Sequence, residues 1–240
     1  MSALFEEIDY CPTPIGPISL RRRRVLSLDQ DVYEVILGDE HLMSSLFTAS
    51  EIALSTLGLA ALEGSSLDVV VGGLGMGYTA AAVLEDDRVA SLQVIEFLDP
   101  IIEWHRDNLM PLTPPLSADE RCSIRQGDFF ELVRSQDGFD ANHPKRKYDA
   151  ILVDIDHTPD WLLDERSQSF YHVEGLRAIA DHLKPGGVFG LWSDTTEDPD
   201  FTARLAQVFD KSWAEPVTFP NPYLGNTFTQ CVYLGMYLAK

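Results

Sequence analysis

The 240-residue chain carries 38 acidic against 18 basic residues, a formal net charge of −20 at pH 7. Binding to nucleic-acid phosphates rests on clustered Lys and Arg, so this charge excludes a general DNA- or RNA-binding role and suits a cationic or neutral substrate. Apolar residues make up 45% of the chain, with 16 Gly and 14 Pro, which excludes coiled coil, collagen and a disordered tail and fits one buried α/β domain with a small appendage.

No apolar run approaches the ~18 residues of a membrane helix. The acidic start of the chain lacks the basic, then apolar, layout of a secretory signal. Cys11, Cys122 and Cys231 are odd in number and far apart, and none of the histidines falls in an HxH or HExxH pattern. Neither a disulfide framework nor a metal site is expected. A soluble, cytoplasmic protein with free thiols is the expectation.

Residues 1–48 read as a small antiparallel β unit. Segments 15–20, 25–28 and 31–37 are short apolar runs broken by Gly, Pro and Asp-Gln turn signals. The basic run at 21–24 falls between two of them, as a solvated edge or turn that discourages edge pairing; binding to an acidic partner or to acids across a dimer is the other reading. An Ala- and Leu-rich helix covers 50–62. From there to residue 240 the pattern is strand, turn, helix, repeated. Strands are predicted at 67–71, 91–95, 122–125, 150–153 and 188–192, and a last strand at 228–238 after a strand end and turn at 219–226. Helices are predicted at 78–84, 99–109, 129–133, 168–183 and 198–209. Asp99 and Asp198 serve as caps, each followed by Pro at the first helical position. The stretches 111–120, 135–147 and 155–166 are surface loops.

Alternating strands and helices predict a Rossmann-like domain over 49–240, with a mostly parallel sheet and an antiparallel last strand. Ligands in this architecture bind beyond the carboxyl ends of the strands, so residues that carry chemistry should lie just after strands.

They do. After the first core strand come Gly72, Gly73, Gly75 and Gly77, a turn on which a ligand can lie against bare backbone. Such a turn also serves close helix–sheet packing, and it lacks the Gly-Lys-Ser/Thr ending of a phosphate loop. Glu96 ends the second strand about twenty residues further on, where an acid can accept both hydroxyls of a ribose. Asp128 follows the third strand and can accept from an adenine amino group, or cap a helix. Asp154, Asp156 and His157 end the fourth strand, suited to steering a cation or taking a proton. Tyr10, Trp161, Tyr171, Trp192 and Tyr223 are candidate pocket walls or core packing.

Together these motifs resemble the S-adenosylmethionine-dependent methyltransferase superfamily, and within it the spermidine synthase-like (polyamine aminopropyltransferase) branch. The resemblance runs along nearly the whole chain: IGPISL, the acids at 39–40, Ser50-Glu51-Ile52, VVVGGLGMG, VIEFLDPIIEWHRDN, GDFFELV, YDAILVDIDHTP and LKPGGVFGLWS. It implies that Gly73, Gly75 and Gly77 wrap the methionine-ribose part of S-adenosylmethionine or its decarboxylated form, that Glu96 holds the ribose and that Asp128 meets the adenine. Asp154 is placed by it near the sulfonium and the incoming amine. Glu51, Trp161 and Tyr223 fall to the substrate pocket.

The implied activity is transfer of an aminopropyl or methyl group to a small-molecule amine or other nucleophile, without a metal and in a possible homodimer. Three positions depart from the branch. His157 stands where its second loop Asp belongs, Ala49-Ser50-Glu51 replaces Tyr-His-Glu, and GGLGMG replaces its Asp-containing glycine turn. Methyl transfer to a non-polyamine acceptor and a catalytically inactive, nucleoside-binding or structural member are the alternatives. An NAD-dependent oxidoreductase shares the glycine turn and Glu96, but the LKPGG and GDFF segments fit the methyltransferase pattern better. No cationic side chain lies in the glycine turn to hold a donor carboxylate, which tilts slightly toward the decarboxylated donor, although backbone amides could do the same work.

Overall fold

The computed structural model describes residues 4–238. Alternating polar and apolar residues near the start build strands β1 (Phe5–Cys11), β2 (Ile18–Val25), β3 (Gln30–Leu37) and β4 (Glu40–Ser44), an antiparallel sheet in the order β1-β2-β3-β4. The strand expected at 25–28 is absent, because Val25 ends β2 and residues 26–29 form the turn, with Asp29 at φ 52°. The arginine run is therefore neither turn nor edge but the body of β2, between β1 and β3. It is tolerated there because the flanking strands carry acids: Arg22 pairs with Glu6 at 2.8 Å and Asp31 at 3.1 Å, and Arg23 with Glu34 at 2.8 Å. Opposed charges across strands stabilise by roughly 0.2–1 kcal/mol each.

The second sheet has seven strands: β5 (Leu67–Gly72), β6 (Val89–Glu96), β7 (Cys122–Gln126), β8 (Tyr148–Val153), β9 (Leu183–Ser193), β10 (Lys211–Asn221) and β11 (Asn226–Tyr237). Their order is β10-β11-β9-β8-β5-β6-β7, with β5 to β9 parallel and β10 and β11 antiparallel. The antiparallel final strand matches expectation. Most of its partner β10 was not foreseen, because Lys211–Asn221 mixes polar residues with two prolines on an edge strand.

Helices α1 (Ala49–Ala60), α2 (Tyr78–Leu84), α3 (Asp99–Arg106), α4 (Phe129–Arg134), α5 (Val173–Ala180) and α6 (Pro199–Leu205) cover the sheet. The strand period of two sorts side chains to its faces. Val69 and Val71 join one apolar cluster and Val70 the other. The first cluster also takes Ile18, Leu20, Val35 and Leu37 from the small sheet, so that sheet packs on the core of the large one.

Two helical expectations change. The helix at 168–183 is split: residues Glu165–Tyr171 form tight 3₁₀ turns, His172 is extended at φ −89° and ψ 166°, and α5 starts after it. Phe170 and Tyr171 are buried by tertiary contacts that mimic helical periodicity. The cap of α3 is Leu98 rather than Asp99, whose own place is the first helical residue. Among the described residues no helix is long and apolar enough to cross a membrane.

Strand order reverses between β6 and β8 on either side of β5, which opens a crevice at the carboxyl ends of β5 and β8.

Candidate active site

Gly73 leaves β5 at φ +90°, and a Cβ there would lie 2.0 Å from the Asp154 carbonyl oxygen. Only glycine lets the turn pass so close to β8. The turn is then held from two sides. Glu96 Oε2 accepts from Leu74 N at 2.9 Å, and Nε2 of buried His105 meets the Gly75 carbonyl at 2.8 Å. Burial pushes the His105 pKa down, so its neutral ring donates to that carbonyl.

Two clefts meet over this turn. The first encloses about 1000 Å³ of space, partly open to solvent, and Gly73, Gly75, Glu96, Asp128 and Asp154 all line it. Glu96 is buried at the end of β6, where its Oε1 also accepts from Leu98 N at 2.7 Å. Burial pushes its pKa up, against the pull of those backbone N–H donors. Asp128 caps α4, as one of its two expected roles has it, accepting from Glu131 N at 3.1 Å, and it also lines the cleft. Phe129 and Phe130 form an apolar wall beside it.

The second cleft is acidic. Glu51, Asp154 and Asp194 line it, along with His157, Trp192 and Gln230. Gly75 and Asp154 belong to both clefts, as do Leu42 and Met43 from β4. Gly77 lies on the second cleft only and starts α2 at φ 91°.

Asp154 Oδ2 accepts from the Thr79 hydroxyl at 2.5 Å, yet burial lifts its pKa to about 6. Glu51 is pushed well above the carboxylate range, first by burial and then by the charge of Asp154, and its Oε2 is buried without a partner. Two facing carboxylates with one unpaired oxygen make a site for a cation or a shared proton.

The remaining expected residues divide. Asp156 is buried at the wall of the first cleft. It accepts from Tyr171 Oη at 2.6 Å, Leu163 N at 2.7 Å and Ser167 Oγ at 3.1 Å, and so pins the loop 155–166. His157 does line the second cleft. Trp161 lines neither cleft and packs on His157, with ring centroids 4.6 Å apart. Tyr223 lines neither cleft; its hydroxyl accepts from Arg23 at 2.7 Å and its ring stands edge-on to Phe47. Trp192 is a cleft wall, fixed by donation from its Nε1 to Ser50 Oγ at 2.8 Å, whereas Tyr171 is core and Tyr10 is exposed.

Sequence reasoning missed Arg134 and Arg166 in the first cleft and Asp194 and Gln230 in the second. None has a spacing signal, since tertiary packing alone brings them in. Arg166 is taken up by Asp164, with Nε to Oδ2 at 2.8 Å. Among the described residues no group of His, Cys, Asp and Glu has the arrangement of a metal site.

No family model and no curated protein matches the sequence. Solved structures do. Spermidine synthase from Thermotoga maritima superposes with a TM-score of 0.71 at 20% identity, over 96% of this chain and 72% of that one. A spermidine synthase in complex with a transition state analogue, AdoDATO, gives 0.73 at 20% identity, over 96% of this chain and 73% of that one. This chain thus has the spermidine synthase fold, a Rossmann-like architecture preceded by a small antiparallel sheet.

Proposed function

We propose that the protein is a transferase that takes an S-adenosylmethionine-type sulfonium in the first cleft and alkylates an amine held in the second. The observation that carries this reading is the meeting of the clefts. Gly73, Gly75, Glu96 and Asp128 line one, Glu51 and Asp194 line the other, and Asp154 stands where they join. Glu96 would take the ribose hydroxyls and Asp128 the adenine amino group. Glu51 and Asp154 would receive the ammonium, whose charge relieves their mutual repulsion.

The reaction then needs orientation more than covalent help. The sulfonium carbon is already an electrophile, and the amine must approach it in line with the breaking C–S bond. The arginines of the first cleft, Arg134 and Arg166, lie on α4 and beside Asp164 rather than at the glycine turn. The methionine end of a donor would instead meet Asp154 and Glu51, which repel a carboxylate. That favours decarboxylated S-adenosylmethionine and aminopropyl transfer over methyl transfer.

The experiment is a product assay by mass spectrometry, with putrescine and other primary amines against both donors. Aminopropylated amine from the decarboxylated donor is expected, with little methylated product from S-adenosylmethionine. Methylated amine alone would overturn the donor assignment, and no product from either donor would overturn the enzymatic reading.

A further inference from the structure

The proton released from the acceptor needs a destination other than the carboxylates that hold its charge. A carboxylate beside an ammonium favours the protonated amine, which is not a nucleophile. We propose that His157 accepts this proton and that Glu40, from the small N-terminal sheet, positions and supports it; this rests on the amine-alkylating function proposed above.

His157 lines the second cleft and is fixed on three sides. Its backbone carbonyl accepts from Asp194 N at 2.7 Å. Its ring lies against Trp161, which is held over it by reciprocal Thr158–Trp161 backbone hydrogen bonds of 3.2 Å. Its Nε2 is buried 3.1 Å from Glu40 Oε1, near enough to pair but off the line of a full hydrogen bond. Catalytic hydrogen bonds of this kind commonly align only when substrate is bound. A carboxylate at Nε2 fixes the proton there in the neutral ring and leaves Nδ1 as the basic atom.

The step balances. An N–H bond of the ammonium breaks and its proton passes to His157, leaving the amine lone pair to form the N–C bond. The C–S bond breaks with its electrons on sulfur, turning the sulfonium into a neutral thioether. The imidazolium then returns its proton to water, with Glu40 compensating its charge in the interval. His157 is thus a catalytic residue and Glu40 a positioning residue.

Other charged or titratable groups around the ring are His41 on β4, Glu51 on α1, Asp154 and Asp156 before it in the chain, and Asp194 at the end of β9. All of them stay in place in a Glu40 variant, so a difference between variants reports Glu40 alone.

The experiment measures kcat and KM for putrescine with decarboxylated donor, in the full chain, for the wild type and for His157→Gln, Glu40→Gln and Glu40→Asp. Methylthioadenosine binding serves as the control. His157→Gln should lower kcat by roughly 10²-fold, Glu40→Gln should lower it by roughly tenfold with KM little changed, and Glu40→Asp should restore part of the loss. Methylthioadenosine affinity should stay within about twofold, since Glu40 lies off the first cleft. A kcat unchanged in His157→Gln or in Glu40→Gln would overturn the pair while leaving the transferase intact. A wild-type chain that binds no methylthioadenosine would overturn the transferase, and the pair's role with it.

Discussion

Glu51 and Asp154 set the chemistry at the scale of single residues. Burial raises both pKa values, so each carboxylate is easier to fold neutral than charged. A raised folded pKa gives stability that is complete below the unfolded value and disappears as pH climbs through the folded one, about 6 for Asp154. Glu51→Gln should therefore raise the melting temperature of the ligand-free chain at pH 8, by a few degrees, and leave it nearly unchanged at pH 4. Equal effects at both pH values would show that Glu51 is not ionising under strain. Asp154→Asn should lower turnover by roughly 10²-fold or more while methylthioadenosine binding changes only a few-fold. Equal losses in both would place Asp154 in donor binding instead. Glu96, Asp128 and Asp154 were legible in the sequence because parallel α/β topology delivers every strand end to one edge. Glu51 was legible only through family resemblance, since nothing in a helix of Ala and Leu marks its first turn as facing a cleft. Arg134 and Gln230 carried no signal at all.

At the scale of elements, the segment after β8 shows what periodicity alone misses. Apolar residues at 170, 173, 176, 179 and 183 have helical spacing, yet the chain breaks at His172 and spends Glu165–Tyr171 in tight turns. The break places the Tyr171 hydroxyl and Ser167 on Asp156. Asp156, at the wall of the first cleft, thereby also anchors the loop bearing His157 and Trp161. Asp156→Ala would leave those buried donors unpaired, a loss of roughly 1–3 kcal/mol. Hydrogen exchange should quicken across 155–171 while β5 and β8 stay protected; unchanged exchange in the loop would rule the anchor out. The arginine run was misplaced for a related reason. A strand of four arginines contradicts local propensity, and only the acids on both neighbouring strands make it stable.

Across the whole molecule, charge is divided between two ends of the large sheet. At the amino ends of the strands, Asp68 meets Arg146 at 2.7 Å and Lys184 at 2.9 Å, and Lys184 also reaches Asp149 at 2.7 Å. Burial alone would raise the Asp68 pKa, but hydrogen bonds from Ser91, Lys184 and Arg146 hold it low. Its stabilisation is therefore present above the ordinary carboxylate range and lost as pH falls through the lowered value. The carboxyl ends carry the opposite case, the strained Glu51–Asp154 pair. Stability of the ligand-free chain should thus peak between roughly pH 4 and 6, falling on the acid side with Asp68 and on the alkaline side with the cleft acids. Millimolar putrescine should lift the alkaline side. A curve still rising through pH 8 without ligand would contradict this division.

The most direct measurement is calorimetry of methylthioadenosine against methylthioinosine, on the wild-type chain and on Asp128→Ser. Serine keeps the cap of α4 and is too short to reach a purine amino group. The wild-type chain should bind methylthioadenosine and prefer it to the inosine form roughly tenfold or more, and Asp128→Ser should lose that preference. Failure of the wild-type chain to bind methylthioadenosine, or a preference that survives in Asp128→Ser, would mean that no adenosine lies between Glu96 and Asp128.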